Sequence, residues 1–226
     1  ITTGLQNAIF AIANLFIQTA MNSFDAVMVS GNAAAMNADT LIFNIMMAFY
    51  TACASFISQN WGAGNKKRML QSYLISMFYA IVVGATFGIL LLTFGRQFLG
   101  LFATDEPVIQ AGLERIRIMW FSYMIAPFMD CTIAASRGIG KSGVPTVIVI
   151  LGSCVFRVIW VYTIFAYFHT VPSLYLLYTF SWVLTGIAEI IYFAGSFRKI
   201  RCGKQTEAEY EKQRDIETSN ISLHNI

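Results

Sequence analysis

Six apolar stretches, each of bilayer-crossing length, leave this 226-residue chain few folds to choose from. A helix needs about 20 apolar residues to cross the hydrocarbon core. Such stretches fall at roughly 5–29, 34–58, 70–94, 114–136, 144–167 and 174–197. Composition agrees, because the chain is 57% hydrophobic and 12% charged, about half the roughly 25% charge of soluble domains. The polar skin of a soluble globule is missing. The reading is all-α: a polytopic transmembrane helical bundle of six spans over residues 1–200. After Phe197 the composition flips, and 201–226 reads as a hydrophilic cytoplasmic tail expected to be disordered. The first stretch has no basic leader or small-residue cleavage site, so it is not read as a secretory signal. A start at Ile1 rather than Met leads to the expectation of an upstream portion.

The sparse charges are placed with a bias. "QNWGAGNKKRM" (59–69) puts Lys66, Lys67 and Arg68 side by side in one tight turn. With six spans, that turn, the loop at 137–143 and the tail share one side of the membrane. Together they hold eleven of the fifteen Lys and Arg residues, Arg137 and Lys141 among them. Cytoplasmic loops retain Lys and Arg, so these five are read as cytoplasmic anchors and the C-terminus as cytoplasmic. A patch for nucleic acid is the weaker reading, and the lipid bilayer is the partner instead. Net charge of +3 thus reports topology. Cys53, Cys131 and Cys154 fall inside spans and read as inert core thiols. No metal-ligand or nucleophile motif is present, so neither an enzyme, nor a metal site, nor a cofactor is expected.

Polar residues inside the spans form stripes. Asn7, Asn14, Gln18, Asn22 and Asp25 fall within about 80° of one helix face. Asn37, Asn44, Thr51, Ser55 and Ser58 fall within about 60° on the second span. Stripes of this kind face other helices or a wet cavity. Interhelical hydrogen bonding is the plainer account. Two stripes on neighbouring helices favour a polar cavity, with Asn14, Gln18, Asn22, Asn44 and Thr51 as lining candidates. Four ionisable residues are read inside spans: Asp25, Asp130, Arg157 and Glu189. An intramembrane charge is a functional candidate by default. Arg157 is expected to pair with Glu189, with Asp130 as the other acid in reach. Asp130 is a coupling candidate on a helix that Pro127 is expected to kink. In "ATDEPVIQ", Thr104 or Asp105 is expected to cap a short helix starting near Pro107.

Four segments carry a family resemblance: "FDAVMVSGNAAAMNADTLIFNI", "SQNWGAGNKKRM", "GLFATDEPVIQAGLERIRI" and "AASRGIGKSGVP". In this order and spacing the chain resembles the multidrug and toxic compound extrusion (MATE) family. That resemblance implies one six-helix lobe of a two-lobe, inverted-V transporter, here the C-terminal lobe, with the missing N-terminal lobe as partner. It also implies an antiporter of the cell inner membrane that exports organic cations or drugs, or amphipathic molecules, in exchange for H⁺ or Na⁺. Asp25 matches an aspartate that serves ion coupling in the equivalent first-lobe helix. Asn14 and Ala126 stand where some members carry acids. The alternatives are a lipid-linked precursor flippase of the same superfamily and a non-transporting scaffold or receptor subunit. In the antiport reading, a cationic drug and a proton compete for one carboxylate while the lobes alternate between two states.

Overall fold

The computed structural model describes residues 2–224, and side chains over 8–200. The tail expected at 201–226 lies outside the described side chains. The chain divides into two compact units, Ile1–Ile190 and Ile191–Ile226. In the second, Phe193 and Phe197 meet one turn apart, ring centroids 5.9 Å.

All described elements are helical. They are α1 (Thr2–Met21), α2 (Ala26–Gly62), α3 (Lys66–Leu99), α4 (Glu106–Met119) and α5 (Ser122–Gly138). A helical rod Gly143–Phe168 (α6) and the helix Val171–His224 (α7) follow. Four are long and apolar enough to cross a membrane: α2, α3, α6 and the Val171–Ile200 part of α7. The pair α4–α5 makes a fifth, bent by 55° at a short break. The apolar part of α1, Ala8–Met21, is shorter than the others. Of six expected spans, five are therefore met by length and composition, and the first is a shorter apolar helix. The 37 residues of α2 make a rod of about 55 Å, well beyond the roughly 30 Å hydrocarbon core.

The turns follow from local chemistry. Gly64 takes φ 69°, a left-handed conformation that glycine adopts without strain, and ends α2. The Asn65 side chain accepts from Arg68 N at 3.1 Å and caps α3. Lys66, Lys67 and Arg68 are thus the first residues of α3. Gly140, φ 78°, makes the matching turn after α5. Asp105 is the N-cap residue of α4 but makes no side-chain cap bond. Glu106, next to it, is instead bridged by exposed Arg96 at 2.8 Å.

Two expectations are corrected. The first stretch does not run to residue 29. α1 stops at Met21, and Ser23 Oγ donates back to the Ala20 carbonyl at 2.7 Å. Asp25 then opens α2 by accepting from Met28 N at 2.8 Å. The polar residues at 22–25 are a helix junction, not the end of a stripe. Nor does α5 bend at Pro127, for it runs unbroken from Ser122 to Gly138. A proline crowds the carbonyl four residues earlier, here that of Tyr123, so the distortion falls upstream and the chain yields at Trp120–Phe121. α3 packs against that junction through glycines. A Cβ on Gly84 would overlap the Tyr123 carbonyl, and one on Gly88 would meet the Trp120 carbonyl at 3.0 Å.

Packing places α2, α3, α4 and α5 in one group and α1 against α6. The first turns of α7 join them. Tyr175 reaches Asn32 of α2, Thr179 pairs with Ser122 of α5, and Ser181 accepts from Arg157 of α6. Within α6, two π-helical stretches, Ile150–Val155 and Val161–Phe165, flank the turn that carries Arg157. Such insertions re-aim side chains and cluster at functional sites.

Candidate substrate cavity

Between α1, α2 and α7 lies a cavity of about 530 Å³, with α4, α5 and α6 contributing to its wall. α1 presents Phe10, Asn14 and Gln18, one turn apart. α2 presents Asn32, Met36, Asp39 and Phe43, spaced by 4, 3 and 4. That spacing keeps all four on one helix face. α7 adds Tyr175, Tyr178 and Trp182 by the same rule, and methionines fill the gaps. Among this apolar and aromatic lining stand four charged groups: Asp39, Arg115, Asp130 and Arg157.

Two of the four are paired. Arg115, on α4 and 4% exposed, bridges Asp39 of α2 through Nη2 and donates from Nη1 to Asn32 Oδ1. The Tyr123 hydroxyl donates to the other Asp39 oxygen. Tyr175 donates to Asn32 at 3.2 Å, and its ring lies 5.0 Å beneath the guanidinium. Such a network compensates the charges of a buried pair, although Arg115 Nε is without a partner among the described residues, and removing one member leaves a costly bare charge. It ties α2, α4, α5 and α7 together in one corner of the cavity.

Arg157 is held differently. It is 3% exposed, donates from Nε to Ser181 Oγ at 3.0 Å, and lies 4.7 Å above the Tyr178 ring. The rings of Phe10 and Trp182 lie at 5.7 and 5.8 Å. Its Nη2 has no hydrogen-bond partner among the described residues. The expected pair with Glu189 does not form. Glu189 is fully buried, with neither carboxylate oxygen bonded among the described residues. The reason is register. Antiparallel α6 and α7 put Arg157 level with Ser181 and Ser153 level with Thr185, at 3.0 Å each. Glu189 is two turns further, about 12 Å along the helix.

The other predicted residues divide. Asn14, Gln18, Asp130 and Arg157 line the cavity. Asn22 does not line it; it accepts from Gln18 at 3.0 Å and is exposed. Asn44 and Thr51 are exposed on another face of α2, about 120° around the helix from Asn32 and Asp39. Asp25 is an exposed cap. Sequence reasoning missed Asp39 and Arg115. Asp39 falls between the striped residues Asn37 and Asn44 but off their face, and Arg115 stands at the front edge of the fourth apolar stretch. The spacing of Asn32, Met36, Asp39 and Phe43 was the available signal.

The MatE family profile matches residues 3–163. A Shewanella oneidensis "FAD transporter" is 28% identical over 121 residues, 54% of this chain and 25% of that protein. The Bacillus subtilis "probable multidrug resistance protein YpnP" is 24% identical over 159 residues, 70% of this chain and 35% of the relative. Among solved structures, a MOP superfamily transporter from Pyrococcus furiosus superposes with TM-score 0.80 at 17% identity. A MATE protein in a straight conformation gives 0.81 at 16%. Each structural match covers 88% of this chain and 45% of the other. The chain therefore spans about a quarter to a third of these relatives and just under half of these structures.

Proposed function

The chain belongs to the MatE family, and from that premise we propose that it forms one lobe of a secondary transporter that exports cationic or amphipathic organic molecules in exchange for H⁺ or Na⁺. The observation that carries this reading is the cavity. Its volume of about 530 Å³ suits a drug-sized ligand, and its walls combine Phe, Tyr, Trp and Met with the Asp130 carboxylate. Aromatic faces attract cations, and methionines adapt to varied shapes. A carboxylate at such a site can hold an organic cation or a coupling ion, and exclusive occupancy is enough for exchange. Asp130 is our coupling residue. It sits on α5, between the junction at Trp120–Phe121 and the glycine turn Gly138–Gly140, so its charge state bears on the one helix with a bend beside it.

A second lobe is part of this reading. Asn37, Asn44, Thr51, Ser55 and Ser58 are all exposed on α2, and polar groups facing lipid are costly. We place a water-filled cleft against that face, shared with a second six-helix lobe.

The test is efflux of a cationic dye from proteoliposomes under an imposed proton or sodium gradient. The Asp130→Asn protein should still insert, while gradient-driven efflux should fall about tenfold or more, the scale of a lost charged contact of about 1.5–3 kcal/mol. Unchanged gradient-driven efflux in that variant would remove Asp130 from coupling.

A further inference from the structure

Arg157 is the guanidinium of the cavity that forms no ion pair among the described residues. A guanidinium carries five N–H donors in a planar fork. The Nε–H is used by Ser181 at 3.0 Å. The three rings around it attract the cation through their faces, but a ring face is not an acceptor for the fork. Nη2 remains without a partner among the described residues, on a side chain 3% exposed that lines the cavity. Arg115, the other guanidinium in the same cavity, shows the contrast. Its Nε is likewise without a partner among the described residues, but its charge is met by Asp39 and its Nη1 by Asn32. Asp130 is within electrostatic reach of Arg157, yet the two form no ion pair. The guanidinium is anchored at one edge and packed against aromatic rings, and its buried Nη2 lies unbonded on a side chain that lines the cavity.

We infer that Arg157 is the recognition group for an oxyanion, a phosphate or carboxylate, carried by an aromatic organic substrate. The fork of Arg matches such anions bidentately, and Phe43, Tyr175, Tyr178 and Trp182 line the same cavity and give an aromatic body an aromatic wall. Asp39 and Asp130 line other parts of the same cavity, so a molecule bearing both charges is accommodated with its anionic end at Arg157. This rests on the reading of the cavity as a substrate site and extends its substrates beyond simple cations.

The experiment uses the purified protein in lipid-free detergent and three probes of one aromatic body: 1-naphthyl phosphate, 1-naphthol and 1-naphthylmethylammonium. Calorimetry should show the phosphate binding about tenfold or more tighter than the neutral naphthol, the scale of one charged contact. Arg157→Gln should abolish that preference while leaving naphthol binding in place, and Arg157→Lys should restore part of it. The wild-type comparison needs no variant to fold. Equal affinity for phosphate and naphthol overturns the proposal, as does a phosphate preference that survives in Arg157→Gln. Binding of naphthol and the ammonium probe alone overturns the oxyanion site but keeps the cavity reading, whereas binding of no probe overturns both. Added phosphatidylglycerol separates two sources of the same chemistry. Displacement of naphthyl phosphate supports the site with a lipid phosphate as occupant, and its failure supports a soluble organic anion.

Discussion

At the scale of single residues, two buried arginines in one cavity carry opposite expectations. Arg115 closes a network with Asp39, Asn32 and Tyr175. Arg115→Ala would leave Asp39 uncompensated, and the loss should be about 3–5 kcal/mol. Arg115→Leu combined with Asp39→Leu should recover much of that loss, since apolar replacements of a buried pair are often neutral. Thermal unfolding in detergent measures both, and additive single losses would show that the pair is not coupled. Arg157 and Glu189 provide the reference. With Arg157 engaged at Ser181, the same cycle should give coupling within about 0.5 kcal/mol, as for residues far apart. The two acids missing from the expected family positions, at Asn14 and Ala126, leave Asp39 and Asp130 as the carboxylates of this cavity. Both come from helices other than α1.

At the scale of elements, the bent α4–α5 pair depends on its neighbour. Gly84 and Gly88, one turn apart on α3, let that helix lie against the carbonyls of Tyr123 and Trp120 at the junction. Pro127 supplies no N–H to bond the Tyr123 carbonyl, so close contact with α3 covers a group that would otherwise be bare in a dry interior. Gly84→Ala forces the two backbones apart and should cost about 1–3 kcal/mol, the range of overpacking. Gly62→Ala is the matched control, because nothing lies within 4 Å of a Cβ there. It should be neutral or slightly stabilising, since alanine favours helix over glycine. Equal melting temperatures for the two variants would show that α3 does not need the close approach.

At the scale of the whole molecule, charge sets orientation. Lys66, Lys67 and Arg68 open α3, Arg137 closes α5 and Lys141 lies in the turn before α6, and helices of alternating direction put all five at one end. The α3–α4 connection, with Asp105 and Glu106, lies at the other. Single cysteines at Lys67 and Lys141 in a background without Cys53, Cys131, Cys154 and Cys202 should react with membrane-impermeant thiol reagents only from the cytoplasmic side. A cysteine at Asp105 should react only from outside. Labelling of Lys67→Cys in intact cells from outside would invert the topology. The exposed polar face of α2 belongs to the same scale: Asn37 and Ser58 bond only to carbonyls of their own helix among the described residues, and the face is open to a partner beyond this lobe.

Apolar runs and charge bias are properties of consecutive residues, and the sequence by itself therefore determined the helical class, five of six spans and the basic turns. Gly64, Asn65 and Gly140 act within one turn of themselves, so the "GAGNKKR" junction was legible as well. Asn14, Gln18, Asp130 and Arg157 were recognisable because a polar residue in an apolar run stands out wherever it points. Their partners were not. Which charges meet depends on the rotation and vertical register of separate helices, and neither is written in the periodicity of one helix. A shift of two turns between α6 and α7 replaced Glu189 by Ser181 beside Arg157. A rotation of about 120° turned the Asn44 and Thr51 face of α2 away from the cavity and brought in Asp39. The bend at Trp120–Phe121 set Arg115 against it. Those three displacements are outcomes of packing between helices, where close approach at a few glycines decides the level and the angle, and only the tertiary structure could supply them.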